Sequence, residues 1–317
     1  MTFNQLKYVL ETVAAGSFSA AAQKLGLTQP ALSLQIQNLE NELDFRIIDR
    51  SRKPFELTPE GELFVAKARE IVLMTESLNN LSIELGSQIC GVLRLGIIPT
   101  LSPYLVPLFI GELTRKYAGL QVEIQEITTE EIITKLNLGE LDAGLLSTPL
   151  DAHARFEPLF YEKFFLYVSD AHFLFDKEEV TIAEINPNDL WYLREGNCFQ
   201  NQVNAVCQIN TVENKVPLRY ISHSIESLRR IVESRNGATF IPELATISIP
   251  AELEEMVKPI APPAPFREIS LALSRLHSKE KLVQVFKETL LANIPERMKH
   301  KPEGMGLDPN IRIKQPL

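Results

Sequence analysis

The chain has 317 residues, 45% of them hydrophobic and 23% charged, the balance of an ordinary globular protein with length for two or three domains. No basic-then-apolar leader and no apolar run of about 18 residues is present, which excludes a spanning helix and predicts a cytoplasmic protein without a membrane partner. Three cysteines are too few for a disulfide framework, and the net charge of -9 excludes a uniformly basic nucleic-acid binder.

The charge is unevenly spread. Residues 1–58 hold six basic residues (Lys7, Lys24, Arg46, Arg50, Arg52, Lys53) and six acidic ones (Glu11, Glu40, Glu42, Asp44, Asp49, Glu56), so the whole -9 falls on residues 59–317. From Gln5 to Ala15, Leu6, Val9, Leu10 and Val13 form an apolar helical stripe that Gly16 ends. Ser17 or Ser19 caps a helix over Ala20 to Leu25, and Gly26-Leu27 makes a tight turn. Thr28 caps a third helix with Gln29 and Pro30 in its first turn, where proline is well tolerated. Leu32, Ile36, Leu39 and Leu43 bury one face of it; Gln29, Ser33, Leu34 and Gln37 lie opposite, with Gln35 beside them. Helix, glycine turn and capped helix is the pattern of a helix-turn-helix, whose second helix offers short polar side chains to base edges. Phe45 to Lys53 with Phe55–Leu57 reads as a two-stranded wing with Arg50, Arg52 and Lys53 at its tip, placed for phosphates or a narrow minor groove. A plain three-helix bundle with a solvated charge cluster fits the same pattern.

Thr58-Pro59-Glu60-Gly61 opens a helix running to about Leu85, with Phe64, Ala68, Ile71, Thr75, Leu78, Ser82 and Leu85 at four- and three-residue steps. A helix about 40 Å long has no local core for such a seam, which predicts pairing with a second copy and a two-fold DNA site. Ala20 to Leu25, Thr28 to Ser33, Gln35 to Glu40 and Leu57 to Gly61 together resemble the N-terminal signature of LysR-type transcriptional regulators. The resemblance implies binding to double-stranded promoter operators through Thr28, Gln29, Pro30, Ser33, Leu34, Gln35, Arg50, Arg52 and Lys53. It also implies a homodimer or homotetramer and contact with RNA polymerase, and no enzymatic role. Leu34 and Gln37 stand where many relatives carry a basic residue.

Gly86 to Gly91 reads as a linker, with Cys90 an incidental residue in it. Strands and helices then alternate: Leu93–Ile98, a helix from Pro99-Thr100 to Tyr117, Val122–Ile127, a helix over Thr129–Leu138, and Ala143–Leu146. Phe164–Val168 crosses into a second lobe, followed by Leu190–Leu193, Leu218–Ile221, a helix over Ser224–Ser234, and Ala238–Ile241; Ile269–Leu273 and a helix over Lys279–Ala292 return. The resemblance implies an α/β effector domain of two periplasmic-binding-protein-like lobes beside an all-α winged helix-turn-helix domain and a long linker helix. The expected division is 1–58 DNA-binding, 59–86 dimerising, 87–91 hinge and 92–293 regulatory. Lobe I covers about 92–161 and 268–293, lobe II about 162–267, and residues 294–317, polar with Pro and Gly, are expected to be a flexible tail.

Within lobe II, Cys198 and Cys207 sit nine residues apart in a segment with Phe199, Val203 and Val206 on one helical face. On an unbroken helix they would be about 13 Å apart, beyond the reach of about 7 Å that a disulfide allows. They are either unrelated buried thiols or a switch with a structural change built in. Gly96-Ile97-Ile98-Pro99-Thr100, Pro103-Tyr104-Leu105-Val106-Pro107 and this cysteine pair, with Glu195-Gly196 before it and Gln202 within it, resemble the peroxide-sensing OxyR branch of the family.

That resemblance implies hydrogen peroxide as effector. Cys198 would be the oxidised thiol, Cys207 its resolving partner, and glutaredoxin or thioredoxin the reductant. Thr100, Thr129, Asn197 and Arg267 would form the pocket, with the helix start and Arg267 lowering the thiol pKa. Arg267 as a lobe-linking salt bridge and Thr129 as a helix cap, exchangeable with Thr128, are the plainer readings. Asn197 stands where relatives often carry His. The rival functions are a LysR-type regulator of a small organic inducer with inert cysteines, and a thiol peroxidase. No cofactor is expected, and His153, His172, His223, His277 and His300 are scattered without metal-ligand spacing.

Overall fold

Local capping chemistry sets the first helices of the computed structural model, which describes residues 1–52, 54–86, 88–193, 197–207, 220, 222, 224–274 and 279–311. Thr2 and Gln5 form a reciprocal capping box at α1 (Phe3–Ala15), so this helix begins two residues earlier than its apolar stripe. Ser17 caps α2 (Phe18–Lys24) and Thr28 caps α3 (Gln29–Leu43). Leu32, Ile36 and Leu39 of α3 are fully buried with Val9, Ala21 and Ala22, while Leu43 packs at the margin. The wing is short: β1 (Ile48–Asp49) pairs antiparallel with β2 (Glu56–Leu57). Glu40, buried on α3, accepts hydrogen bonds from Ile47 and Ile48 N–H and so ties the wing root to the helix.

Thr58 accepts from Gly61 N–H as α4 (Pro59–Leu85) starts. A Cβ at Gly61 would lie 2.0 Å from the Ile47 carbonyl oxygen, so only glycine permits this approach of helix to wing. Val65 and Ala68 of α4 are buried against this domain. Farther along, Ile71, Met74, Leu78 and Leu81 are exposed at three-, four- and three-residue steps. That stripe shares Ile71 and Leu78 with the predicted seam and includes Met74 and Leu81; Thr75 is half-buried, and the Ser82 and Leu85 side chains lie outside the described residues.

Two compact units result, Met1–Gly86 and Ser87–Arg275 with Glu280–Gln315, to which short late segments add. In the second, β3 (Cys90–Ile97) begins inside the expected linker, so Cys90 and Gly91 are strand residues paired with Gly119 and Leu120. It is followed by α5 (Ser102–Lys116), β4 (Gly119–Glu126), α6 (Thr129–Leu138), β5 (Ala143–Thr148) and β6 (Arg155–Val168). Then come α7 (Cys198–Val206), α8 (Ile225–Ser234), β7 (Ala238–Pro242), α9 (Glu243–Thr246), β8 (Val257–Pro259), β9 (Pro265–Leu273) and α10 (Glu280–Asn293), with β10 (Met305–Gly306) last. The strand order is β4-β3-β5-β9-β6-β7, with β8 on β6 and β10 on β9. The β3, β4 and β5 pairings are parallel, and β9 runs antiparallel to β5 and β6.

β6 and β9 are the crossing strands. The first half of β6 pairs with β9 and its end, Phe164–Val168, with β7 and β8, giving two lobes on one continuous sheet. The sequence pattern shows only that second half, because Pro158 and a register shift between Pro158 and Phe160 break the alternation before it. Leu190–Leu193 is not a strand; Leu190 makes a single bridge to Ala238. Leu218–Ile221, apart from Tyr220, falls outside the described residues.

The expectation of a flexible tail is corrected for residues 294–311. Ile294, Met298 and Leu307 are buried, and β10 adds a parallel strand to the start of β9. Three apolar anchors spaced four and nine residues apart hold this segment, a spacing with no helical or strand period.

Candidate functional site

Helix α7 presents its two thiols at opposite ends. Asn197 is its N-cap, its side-chain oxygen accepting from Phe199 N–H at 2.9 Å, so Cys198 is the first helical residue. Cys207 is the C-cap, its N–H donating to the Val203 carbonyl. Both thiols are free, Cys198 buried and Cys207 half-buried. Phe199, Val203 and Val206 form the buried face, and Phe199 stacks on Phe164 of β6 at 4.7 Å between centroids. The nine intervening steps of intact helix keep the sulfurs beyond bonding reach.

Around Cys198 converge side chains from both lobes and the crossing strands. Thr128 caps α6 in a capping box with Glu131. That settles which threonine caps the helix, and it leaves the Thr129 hydroxyl to hydrogen-bond the Cys198 sulfur. Arg267 on β9 is fully buried, with its guanidinium 4.9 Å from the Phe199 ring centre. Its Nε donates to Glu162 Oε1 at 2.7 Å and its Nη1 to Thr100 Oγ1 at 3.1 Å. Since Thr100 accepts from the guanidinium, its own hydroxyl proton is free to be donated elsewhere. Arg267 thus pairs with a carboxylate across β6 and β9, and its charge pulls the Cys198 thiol downward.

The expected net lowering of the Cys198 pKa is not found. Burial pushes this thiol above its usual range, while the Arg267 charge, the Thr129 hydroxyl and the Phe199 N–H pull it back in part. Burial outweighs those three pulls, and the negative charge of Glu130 adds to it. Burial likewise pushes Glu162 up against the pull of Arg267, and it raises Cys207 to about 11. The thiolate is the nucleophile, so a raised pKa means a thiolate fraction that grows about tenfold per pH unit through neutrality. Alkylation of Cys198 by iodoacetamide is expected to follow that slope from pH 7 to 9, followed by mass spectrometry; a plateau below pH 7 would contradict it.

Glu162 and Ser147 are site residues that the sequence reading missed. Glu162 has a signal in hindsight, a lone carboxylate opening the apolar run Phe164–Val168. Ser147, buried at the end of β5, accepts from Gln202 Nε2 at 3.1 Å and carries no such signal. Among the described residues no group of three or more His, Cys, Asp or Glu side chains is placed to hold a metal ion.

In the first unit, Thr28, Gln29, Pro30, Leu34 and Gln35 are exposed on α3 and Ser33 is half-buried. Arg50 follows β1 in the wing turn, and its guanidinium folds back toward α3. It donates to Ser33 Oγ at 3.0 Å, pairs with Glu40 and covers the Phe18 ring at 5.0 Å. Glu40 is committed to the wing backbone and nearly buried, so it demands a nearby cation. Arg52 pairs with Glu56 at 2.6 Å, and Lys53 lies outside the described residues.

Comparison with known proteins gives one consistent result. The family "Bacterial regulatory helix-turn-helix protein, lysR family" matches residues 3–62, and "LysR substrate binding domain" matches residues 86–295. A hydrogen peroxide-inducible genes activator of Haemophilus influenzae is 30% identical over 272 residues, covering 86% of this chain and 90% of its own. The HTH-type transcriptional regulator EstR of Acinetobacter baylyi is 31% identical over 248 residues, covering 77% and 80%. A full-length OxyR variant from Pseudomonas aeruginosa superposes with a TM-score of 0.75 at 29% identity, covering 93% of this chain and 99% of that one.

Proposed function

The chain belongs to the LysR family of bacterial transcriptional regulators, and on that premise we propose that it senses hydrogen peroxide through Cys198 and Cys207. The observation carrying this is a buried thiol at a helix start, touched by Thr129 and facing the Arg267–Thr100 pair, with a second thiol at the far end of the same helix. Likeness to proteins named as peroxide-inducible genes activators points the same way.

The Cys198 thiolate attacks one peroxide oxygen, the O–O bond breaks, and the departing hydroxide takes a proton to leave as water. The product is a sulfenic acid on Cys198. The Arg267-held Thr100 hydroxyl is aimed to donate to peroxide oxygen, and Thr129 and Arg267 stabilise the thiolate. The Cys207 thiolate then attacks the Cys198 sulfur and expels a second hydroxide, so two thiols and one peroxide yield a disulfide and two waters. A dithiol reductant such as glutaredoxin or thioredoxin reverses it.

The bond cannot close across an intact α7, so the helix unwinds and Phe199, Val203 and Val206 leave their places. Repacking between regulatory domains of a dimer or tetramer then alters promoter contact and transcription of antioxidant genes, within the cell and with RNA polymerase as partner. In this reading residues 1–58 bind operator DNA through α3 and the wing, 59–86 pair through the Ile71–Leu81 stripe, and 92–293 sense.

A second reading, a small organic inducer with inert cysteines, draws on the raised pKa of both thiols. Mass spectrometry of the reduced full chain after stoichiometric peroxide separates them. An internal 198–207 disulfide formed much faster than free cysteine oxidises is expected. Unmodified thiols, or a rate no faster than free cysteine, would sink the sensor.

A further inference from the structure

The segment after α10 has no assigned role, and it runs onto the redox helix. Arg297 pairs with Glu243 at 2.7 Å while Ile294 and Met298 are buried. The chain then lies along the start of β9: Met305 N–H donates to the Ala264 carbonyl, and Leu307 N–H to the Phe266 carbonyl at 2.8 Å, one residue before Arg267. A Cβ at Gly304 would stand 2.3 Å from the Ala264 carbonyl oxygen, so the approach needs glycine there.

From that strand the segment reaches α7. Gln202 is fully buried at the middle of the helix, and its Nε2 donates to the Leu307 carbonyl at 3.0 Å. The Oε1 atom of Gln202 has no partner, so its amide depends on Leu307 and Ser147 for the hydrogen bonds it makes. Next to it, Asn201 Nδ2 donates to the Pro309 carbonyl at 3.2 Å. Leu307 and Pro309 are themselves buried. Two consecutive side chains of the helix are thus held by backbone carbonyls of residues more than a hundred positions away.

We propose that residues 302–311 form a latch on α7 that sets the redox poise of the Cys198–Cys207 pair by holding the helix in its reduced, wound form. The latch rests on the peroxide-sensor reading, because it acts on the disulfide. Its hydrogen bonds to Asn201 and Gln202 exist only while α7 is wound, and closing the disulfide takes that stretch apart. An interaction present in one state alone shifts the equilibrium by its own free energy. Stabilising the dithiol raises the reduction potential of the pair. A stronger latch therefore makes the sensor harder to oxidise at equilibrium and easier to reset. The latch touches neither sulfur, so the first step, peroxide attack by Cys198, does not depend on it.

The full-length protein, a variant ending at Lys301, and full-length Gly304→Val are equilibrated in defined dithiol/disulfide buffers, and the 198–207 bond is quantified by mass spectrometry. Both variants are expected to favour the disulfide about tenfold more than wild type, which is about 30 mV lower in potential for a two-electron couple. The rate of Cys198 sulfenic acid formation should stay within about twofold. Trypsin should also cut after Lys299 faster in the oxidised wild type than in the reduced one. If the shortened chain does not melt cooperatively, Gly304→Val decides. Equilibria within twofold of wild type overturn the latch alone, whereas a wild type that never forms the disulfide overturns the sensor reading beneath it.

Discussion

Replacing Arg267 by alanine is expected to destabilise the reduced regulatory domain by about 3–5 kcal/mol, the range for a buried ion pair broken from one side. Arg267 and Glu162 are both fully buried, so the variant leaves a carboxylate with no cation in a place that water does not reach. Protonation of Glu162, already pushed upward by burial, recovers part of that loss. The unfolded-state carboxylate has a lower pKa, so the penalty is largest at and above neutral pH and shrinks as pH falls through the folded Glu162 value. Urea denaturation of the full chain at pH 5.5 and 7.5 reads both effects.

Arg267→Met with Glu162→Leu is expected to recover most of the stability, since apolar replacement of a buried pair is often neutral or better. Peroxide reactivity should not return with it, because Thr100 loses its donor and Cys198 its nearby positive charge. A single variant that loses less than about 1 kcal/mol, or a double variant that regains full reactivity, would contradict the assignment.

The second large effect concerns the thiols. In promoter footprints of wild type, Cys198→Ser and Cys207→Ser, each reduced and peroxide-treated, only wild type is expected to change. Cys198→Ser should be blind to peroxide. Cys207→Ser should still oxidise Cys198, detectable with a sulfenic-acid probe, yet stop there and leave the footprint as in the reduced state. A peroxide-dependent footprint in Cys198→Ser would rule out the disulfide as the signal.

What was legible in the sequence follows the range of the interactions. Thr28 as cap of α3 and the buried Leu32, Ile36 and Leu39 are readable because their partners lie within a few positions. The start of α7 and its buried face were visible for the same reason. Thr128 against Thr129 was ambiguous on sequence, since either fits a cap; the capping box with Glu131 decides it. Glu162 was not found because its meaning depends on Arg267, its cross-strand neighbour 105 positions on. Arg50 looked like a free wing cation until buried Glu40 appeared beside it. The latch was hardest, since a few apolar anchors in a polar segment have no period, and its bonds come from backbone carbonyls that no side chain announces.

The contact at Gly61 has a mechanical consequence. With helix and wing touching through a glycine that admits no side chain, the wing and α4 turn together as a lever about 40 Å long. A tilt of about 5° at the wing displaces the far end of that lever by about 3.5 Å. Small adjustments at the remote end of α4 are therefore delivered to the wing geared down, as a small change in its tilt. Any side chain at position 61 would loosen that joint while leaving both of its arms intact.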